Sequence, residues 1–177
     1  MKIYTGIGSR EISIEVVAQM RKLGCALAMD GWTLRSGAAP GSDTAFERGC
    51  DAGGGAKEIY LPWKGFSKHD STLFYVSPEA LEIAEEIYGP AFKYLKRPVK
   101  LLMARNMYQV TGVNLDTPSQ FIVCWTSDGC NSAATRNRKT GGTGQAIAYA
   151  SSLQIPVFNL QRKGEEEKLL DFIADHD

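Results

Sequence analysis

The chain has 177 residues and a mass of 19.4 kDa, about one domain's worth, and folding at this size buries roughly two-thirds of the exposed surface without a disulfide or metal staple. Hydrophobic residues at 44% and charged residues at 23% exclude disorder and collagen. Twenty basic residues balance twenty acidic ones, which excludes a grip on nucleic acid through overall charge and leaves only a local patch for that purpose.

In chain order, residues 2–8 read as a short buried strand ending in glycines. Residues 13–30 have a helical rhythm of Ile14, Val17, Ala18 and Leu23, with Met20 and Leu27 nearby; Ser13 is the expected N-cap and Gly31 the stop. Residues 32–36 form a second strand, 37–42 a glycine-rich turn, and 43–52 a second helix closed by Gly53, Gly54 and Gly55. A third strand at 57–61 ends at Pro62. Residues 65–77 are irregular and carry Phe66, Phe74 and Tyr75, close to Trp63. Helices follow at 78–88 and 98–113, each opened by proline. Residues 120–125 are a strong buried strand, 126–140 a polar loop, 145–152 a small-residue helix, 156–160 a last strand and 165–174 an amphipathic closing helix.

Strands alternate with helices throughout, and runs such as Phe121-Ile122-Val123 suit a sheet covered on both faces. The expected fold is α/β: a three-layer α/β/α Rossmann-like sandwich of about five parallel strands, forming a single domain over residues 1–177. The excursion at 65–96 is too short to hold a core of its own. No apolar run reaches the length of a transmembrane helix, and the start lacks a signal-peptide core, so the expected location is cytoplasmic and away from membranes. The cysteines, Cys25, Cys50, Cys124 and Cys130, include no Cys-x-x-Cys pair. His69 and His176 are the only imidazoles, so free thiols are expected and a structural metal is not.

Three glycine-bearing turns fall at predicted strand ends: Gly6-Ile7-Gly8-Ser9-Arg10, Ser36-Gly37-Ala38-Ala39-Pro40-Gly41-Ser42-Asp43, and Gly141-Gly142-Thr143-Gly144-Gln145. Each leads toward a helix start, where free N–H groups and the helix dipole favour an anion. Gly8, Ser36, Gly37, Gly41, Gly141, Gly142, Thr143, Gly144 and Gln145 are therefore candidate phosphate-binding positions, with Ser9 as a donor and Arg10 as a clasp. Asp43 reads either as a helix cap or as a group facing a ribose hydroxyl and acting as acid or base. Arg105 and Asn106 share a helix that meets the sheet edge. The loop at 126–140 sets Arg136, Arg138 and Lys139 against Asp128, as a lid over a nucleotide or an arm along phosphates. His69-Asp70 is a candidate proton-transfer pair, and the aromatics near residue 66 are candidates for base stacking.

Taken in order, these turns resemble the SLOG superfamily, which joins the Smf/DprA DNA-processing proteins with the LOG phosphoribohydrolases. Gly6 to Arg10 resembles its opening Gly-Ser-Arg turn. Ser36 to Ala45 resembles the DprA motif Ser-Gly-x-Ala-x-Gly-x-Asp-x-x-Ala, with Ala39 and Asp43 matching and the last alanine one residue early. Arg105-Asn106 resembles the Arg-Asn of DprA and the helix arginine of LOG enzymes, and residues 140–146 resemble the phosphate-binding turn of both. The LOG pattern Pro-Gly-Gly-x-Gly-Thr-x-Glu-Glu departs here: Gln145 replaces the threonine, and Ile147 and Ala148 replace the glutamates. Asp43, Glu47, Asp116 and Asp128 are the acids that could substitute, Asp43 being the one attached to a motif.

The resemblance implies a nucleotide or nucleotide-derived ligand, with Asp43 and Arg105 in the catalytic positions if there is turnover. It leaves three functions open: hydrolysis of a nucleotide N-glycosidic bond, nucleotide sensing or sequestration without turnover, and single-stranded DNA binding. No organic cofactor and no metal are expected. Leu169, Leu170, Phe172 and Ile173 on the closing helix offer a face for a homodimer.

Overall fold

The computed structural model describes residues 1–176; Asp177 and the side chain of His176 lie outside the described part. A parallel sheet is built from β1 (Ile3–Gly8), β2 (Thr33–Ser36), β3 (Lys57–Ile59), β4 (Phe121–Trp125) and β5 (Val157–Asn159). Its strand order is β3-β2-β1-β4-β5, and every pairing is parallel. The helices are α1 (Ile14–Met29), α2 (Ser42–Ala52), α3 (Pro78–Tyr88), α4 (Arg97–Thr111), α5 (Thr143–Ser152) and α6 (Glu165–His176). The expected three-layer α/β/α Rossmann-like sandwich is the observed one.

Alternation along the strands assigns the layers. Phe121 and Val123 join Tyr4, Leu34, α1, α2 and α6 in one core; Ile122 and Cys124 join Ile7, α3, α4 and α5 in the other. The central β4 is buried on both faces, which is why it reads as a continuous apolar run, whereas the edge strand β3 begins with an exposed Lys57. Ala80, Ala84 and Phe92, from the excursion after β3, belong to the second core, so that segment is part of the α-layer.

Ser13 caps α1, accepting the Val16 N–H at 3.3 Å. The buried stripe of α1 runs through Met20, Leu23, Gly24 and Leu27. Ile14 sits about 130° around the helix from that stripe at 100° per residue and is 84% exposed, contrary to the expected core role. On α6, Leu169 and Ile173 are buried and Phe172 packs against the same cluster. That helix thus spends most of its apolar face on the sheet, and Leu170 is the member left exposed. All four cysteines are free thiols. No described helix is long and apolar enough to cross a membrane.

Strand order reverses at β1. β1 hands the chain to one side through α1, while its other neighbour, β4, is reached from α4 on the opposite face. The two connections diverge and leave a crevice beyond the carboxyl ends of β1 and β4.

Candidate functional site

A cleft of about 510 Å³ opens in this crevice. Gly8, Ser9 and Arg10 form one wall. α4 supplies Met103, Arg105, Asn106 and Gln109, and α2 supplies Asp43. Lys139, Gly141, Gly142 and Thr143 close the far side. Residues from the first and third glycine turns, distant in sequence, therefore face one space.

The third turn ends in α5, two residues earlier than the sequence pattern implied. Gly142 is its N-cap. The N–H groups of Gly144 and Gln145 fold back onto the carbonyls of Gly141 and Gly142, each at 3.2 Å. The N–H groups of Gly141, Gly142 and Thr143 meet no acceptor among the described residues. These are the orphan donors of a helix start, and they lie on the cleft. Arg10 and Lys139 are exposed beside the cleft with no side-chain partner among the described residues. Asn106 fixes the turn by donating to the Gly142 carbonyl at 3.0 Å.

The second turn is arranged differently. Gly41, not Asp43, is the N-cap of α2; its φ is +82°, and a Cβ there would meet the Arg10 carbonyl oxygen at 2.3 Å. Asp43 is the second helical residue. Its carboxylate folds back to accept the Ala39 N–H at 3.4 Å and lies against the N–H groups of Gly37 and Gly8. The turn's own aspartate thus fills the position in which an external phosphate was expected. Ser36 and Gly37 lie behind the cleft rather than on it. The Ser36 hydroxyl donates to the Gly6 carbonyl at 2.7 Å, and the Gly37 carbonyl accepts from Arg105. The Ser42 hydroxyl ties the first turn to the second through the Ser9 carbonyl at 2.8 Å.

Arg105 is buried to 5% exposure at the cleft floor. Nη1 donates to the carbonyls of Gly37 and Tyr60, the latter at 3.1 Å, and Nε donates to Asn106 Oδ1 at 3.3 Å. The guanidinium also lies 5.6 Å from the Phe66 ring centroid. Nη2 has no acceptor among the described residues. No hydrogen bond joins Arg105 to Asp43, but each sits in the other's field. Burial pushes the Asp43 carboxyl up to about 6, against the opposing pull of Arg105 and of the Ala39, Gly37 and Gly8 N–H groups. Burial pushes the guanidinium down to about 10; Asp43 resists this and Arg10 adds to it. At neutral pH Arg105 therefore keeps its charge.

Of the four acids considered, only Asp43 lines the cleft. Glu47 is held by Lys57 and by His69 Nε2, each at 2.8 Å. Asp128 accepts the Thr140 hydroxyl at 2.5 Å, and Asp116 accepts that of Thr117 at 3.0 Å. The candidate His69-Asp70 pair is only a loose contact. His69 Nδ1 accepts the Ser71 N–H at 3.0 Å, while Asp70 is fully exposed with its carboxylate 3.8 Å away. Trp63 and Phe66 pack edge to face at 5.3 Å, and neither they nor Phe74 and Tyr75 line the cleft.

The loop 126–140 folds into two short 3-10 turns capped by Ser132 and Asn137. It sends Lys139 to the cleft and Arg136 and Arg138 to an adjoining cavity of about 390 Å³, which Gln145 also lines. The stem of Arg136 lies over Gly144, where a Cβ would stand 2.9 Å from it; Gly144 packs and does not face a ligand. Sequence reasoning missed Gln109 and Met103 on the cleft. Both follow from helical spacing on α4, Gln109 one turn after Arg105 and Met103 one turn before Asn106.

No group of histidine, cysteine and carboxylate side chains that could hold a metal occurs among the described residues. No family model matches the chain, and no curated protein or solved structure matches it.

Proposed function

We propose that this chain is a nucleotide-binding protein of the SLOG type. One observation carries the reading: three uncommitted backbone N–H groups at the start of α5 open onto a cleft flanked by Arg10 and Lys139. A phosphate there receives backbone hydrogen bonds, the favourable end of the helix dipole and two cations. The buried polar floor of Asp43, Arg105 and Asn106 then serves the uncharged part of the ligand.

A second reading, hydrolysis of the N-glycosidic bond, rests on Asp43 as the buried acid on the cleft, Glu11, which also lines it, being exposed. Its carboxylate would stabilise positive charge developing on the ribose while water adds to the anomeric carbon and loses a proton, and the base departs with the bonding electrons and takes up a proton. The positions of the LOG glutamates supply no alternative, since Ile147 is fully buried in the core and Ala148 carries no acid.

The test is a panel of ribo- and deoxyribonucleoside 5′-monophosphates, nicotinamide nucleotides and ADP-ribose, read by melting temperature and by release of free base. A ligand at a hundred times its Kd adds about 2.7 kcal/mol of stability. The expected result is a shift with at least one nucleotide that is lost in the Arg10→Ala/Lys139→Ala double variant. No shift with any member of the panel refutes the proposal. Base release abolished by Asp43→Asn establishes hydrolysis; binding with the ligand recovered intact establishes a sensor.

A further inference from the structure

The start of α5 stands between two cavities. Gly141, Gly142 and Met103 line both the cleft and the adjoining cavity. Met103 lies over Gly142, its methyl carbon 3.5 Å from where a Cβ would be, so the two spaces part at the anion seat itself. A terminal phosphate needs room on one side only. A seat with room on both sides fits a phosphate that has a substituent on each side.

The two chambers have different chemistry. In the cleft, Gln109 is 2% exposed and its Nε2 has no hydrogen-bond partner. That nitrogen and Arg105 Nη1 crowd one point above Gly37, 2.4 and 1.9 Å from where a Cβ would be. Two donors face each other there. Turning the carboxamide over places Oε1 beside the guanidinium. Arg105 Nη2 then remains on the floor as a donor that the protein does not use. A buried donor left without an acceptor is costly, and a ligand oxygen relieves it. The second chamber holds Tyr88, Val99, Arg136 and Arg138. Arg138 is exposed, and its side chain has no partner among the described residues.

We infer that the site takes an internal phosphate, as in a dinucleotide or one step of a nucleic-acid strand, with one nucleoside in the cleft against Gln109 and the other beside Tyr88 and Arg138. This rests on the nucleotide reading above and narrows it.

The experiment is calorimetric titration of the intact chain with three probes: adenosine 5′-monophosphate, adenylyl-3′,5′-adenosine, and an eight-residue oligodeoxyadenylate. The first two carry one phosphate each, and the monophosphate has the greater charge, so simple electrostatics favours it. The expected result is that the dinucleotide binds at least tenfold more tightly. Arg138→Ala should remove about tenfold from the dinucleotide, the order expected for a lost charged contact, and leave the monophosphate unchanged. Gln109→Leu should weaken both, because it alters the chamber that both occupy. Equal affinity for the two adenosine ligands, or an Arg138→Ala loss shared by both, overturns the inference while leaving the nucleotide reading standing. No binding of any probe, after a negative nucleotide panel, removes both. If the octamer binds more tightly than the dinucleotide and spans several residues per protein, the source is a strand; if it gains nothing, the source is a free dinucleotide.

Discussion

Asp43→Asn separates the two forces on the buried carboxyl. Burial has raised it from an ordinary 3.8 to about 6, a displacement of roughly two units, and each unit is worth about 1.36 kcal/mol, so close to 3 kcal/mol is at stake. The folded protein holds this proton at pH values where the unfolded chain has released it. The contribution to stability is therefore complete below pH 3.8 and is lost as pH rises through 6. Asparagine keeps an oxygen for the Ala39 N–H but has no proton to release, so it lacks this decline. Urea unfolding of both proteins should be measured from pH 4 to 7.5 at constant ionic strength. The difference isolates Asp43, because other titrating groups cancel between them. The asparagine variant should gain about 2.4 kcal/mol on the wild type across that range, part of the loss having already occurred at pH 4. A flat difference, or a wild type that gains as pH rises, would show that Arg105 and the surrounding N–H groups outweigh burial, and the electrostatic account of the floor would be wrong.

Two further substitutions test the packing behind the site. Gly37→Ala should destabilise by about 2–4 kcal/mol, since its Cβ would fall 1.9 Å from Arg105 Nη1 and displace a guanidinium held by two carbonyls. An unchanged urea midpoint would mean that Arg105 has room to move. Tyr4→Phe should stabilise by about 1 kcal/mol, because the hydroxyl is fully buried with no partner, and its removal deletes a desolvated polar group. A lower melting temperature in this variant would reveal an acceptor for that hydroxyl.

The layered fold was legible because parallel strands carry their burial openly: Phe121-Ile122-Val123 has no polar face to confuse with a surface. Helix bounds were legible where a cap or proline marked them, as at Ser13 and Pro78. The second turn was misread for a physical reason. Its pattern of glycines announces a backbone concavity rich in N–H groups, and that concavity exists. Nothing in the local sequence says that Asp43, four residues beyond Ala39, will turn back and occupy it. Gln109 was missed for the opposite reason: a glutamine inside a helix is ordinarily solvated, and its burial depends on Gly37, which comes from another part of the chain. The separation of Lys139 from Arg136 and Arg138 into different cavities likewise depends on the 3-10 turns of residues 133–140, which composition does not mark.

Because the chain seats its own carboxylate at the second turn, the crevice is not a uniformly attractive groove. At its deep end an ionised Asp43 offsets the charge of Arg105, whereas Arg10 on one wall and Lys139 beside the helix start on the far side have no carboxylate partner. An anionic guest lying the wrong way round would meet Asp43 beside Arg105, where attraction and repulsion offset, instead of the two cations at the mouth. The crevice thus has polarity in the sense that a plug and socket have it: a guest with one charged and one neutral end can be inserted in a single direction. That direction is set by one residue that makes its closest bond to its own turn.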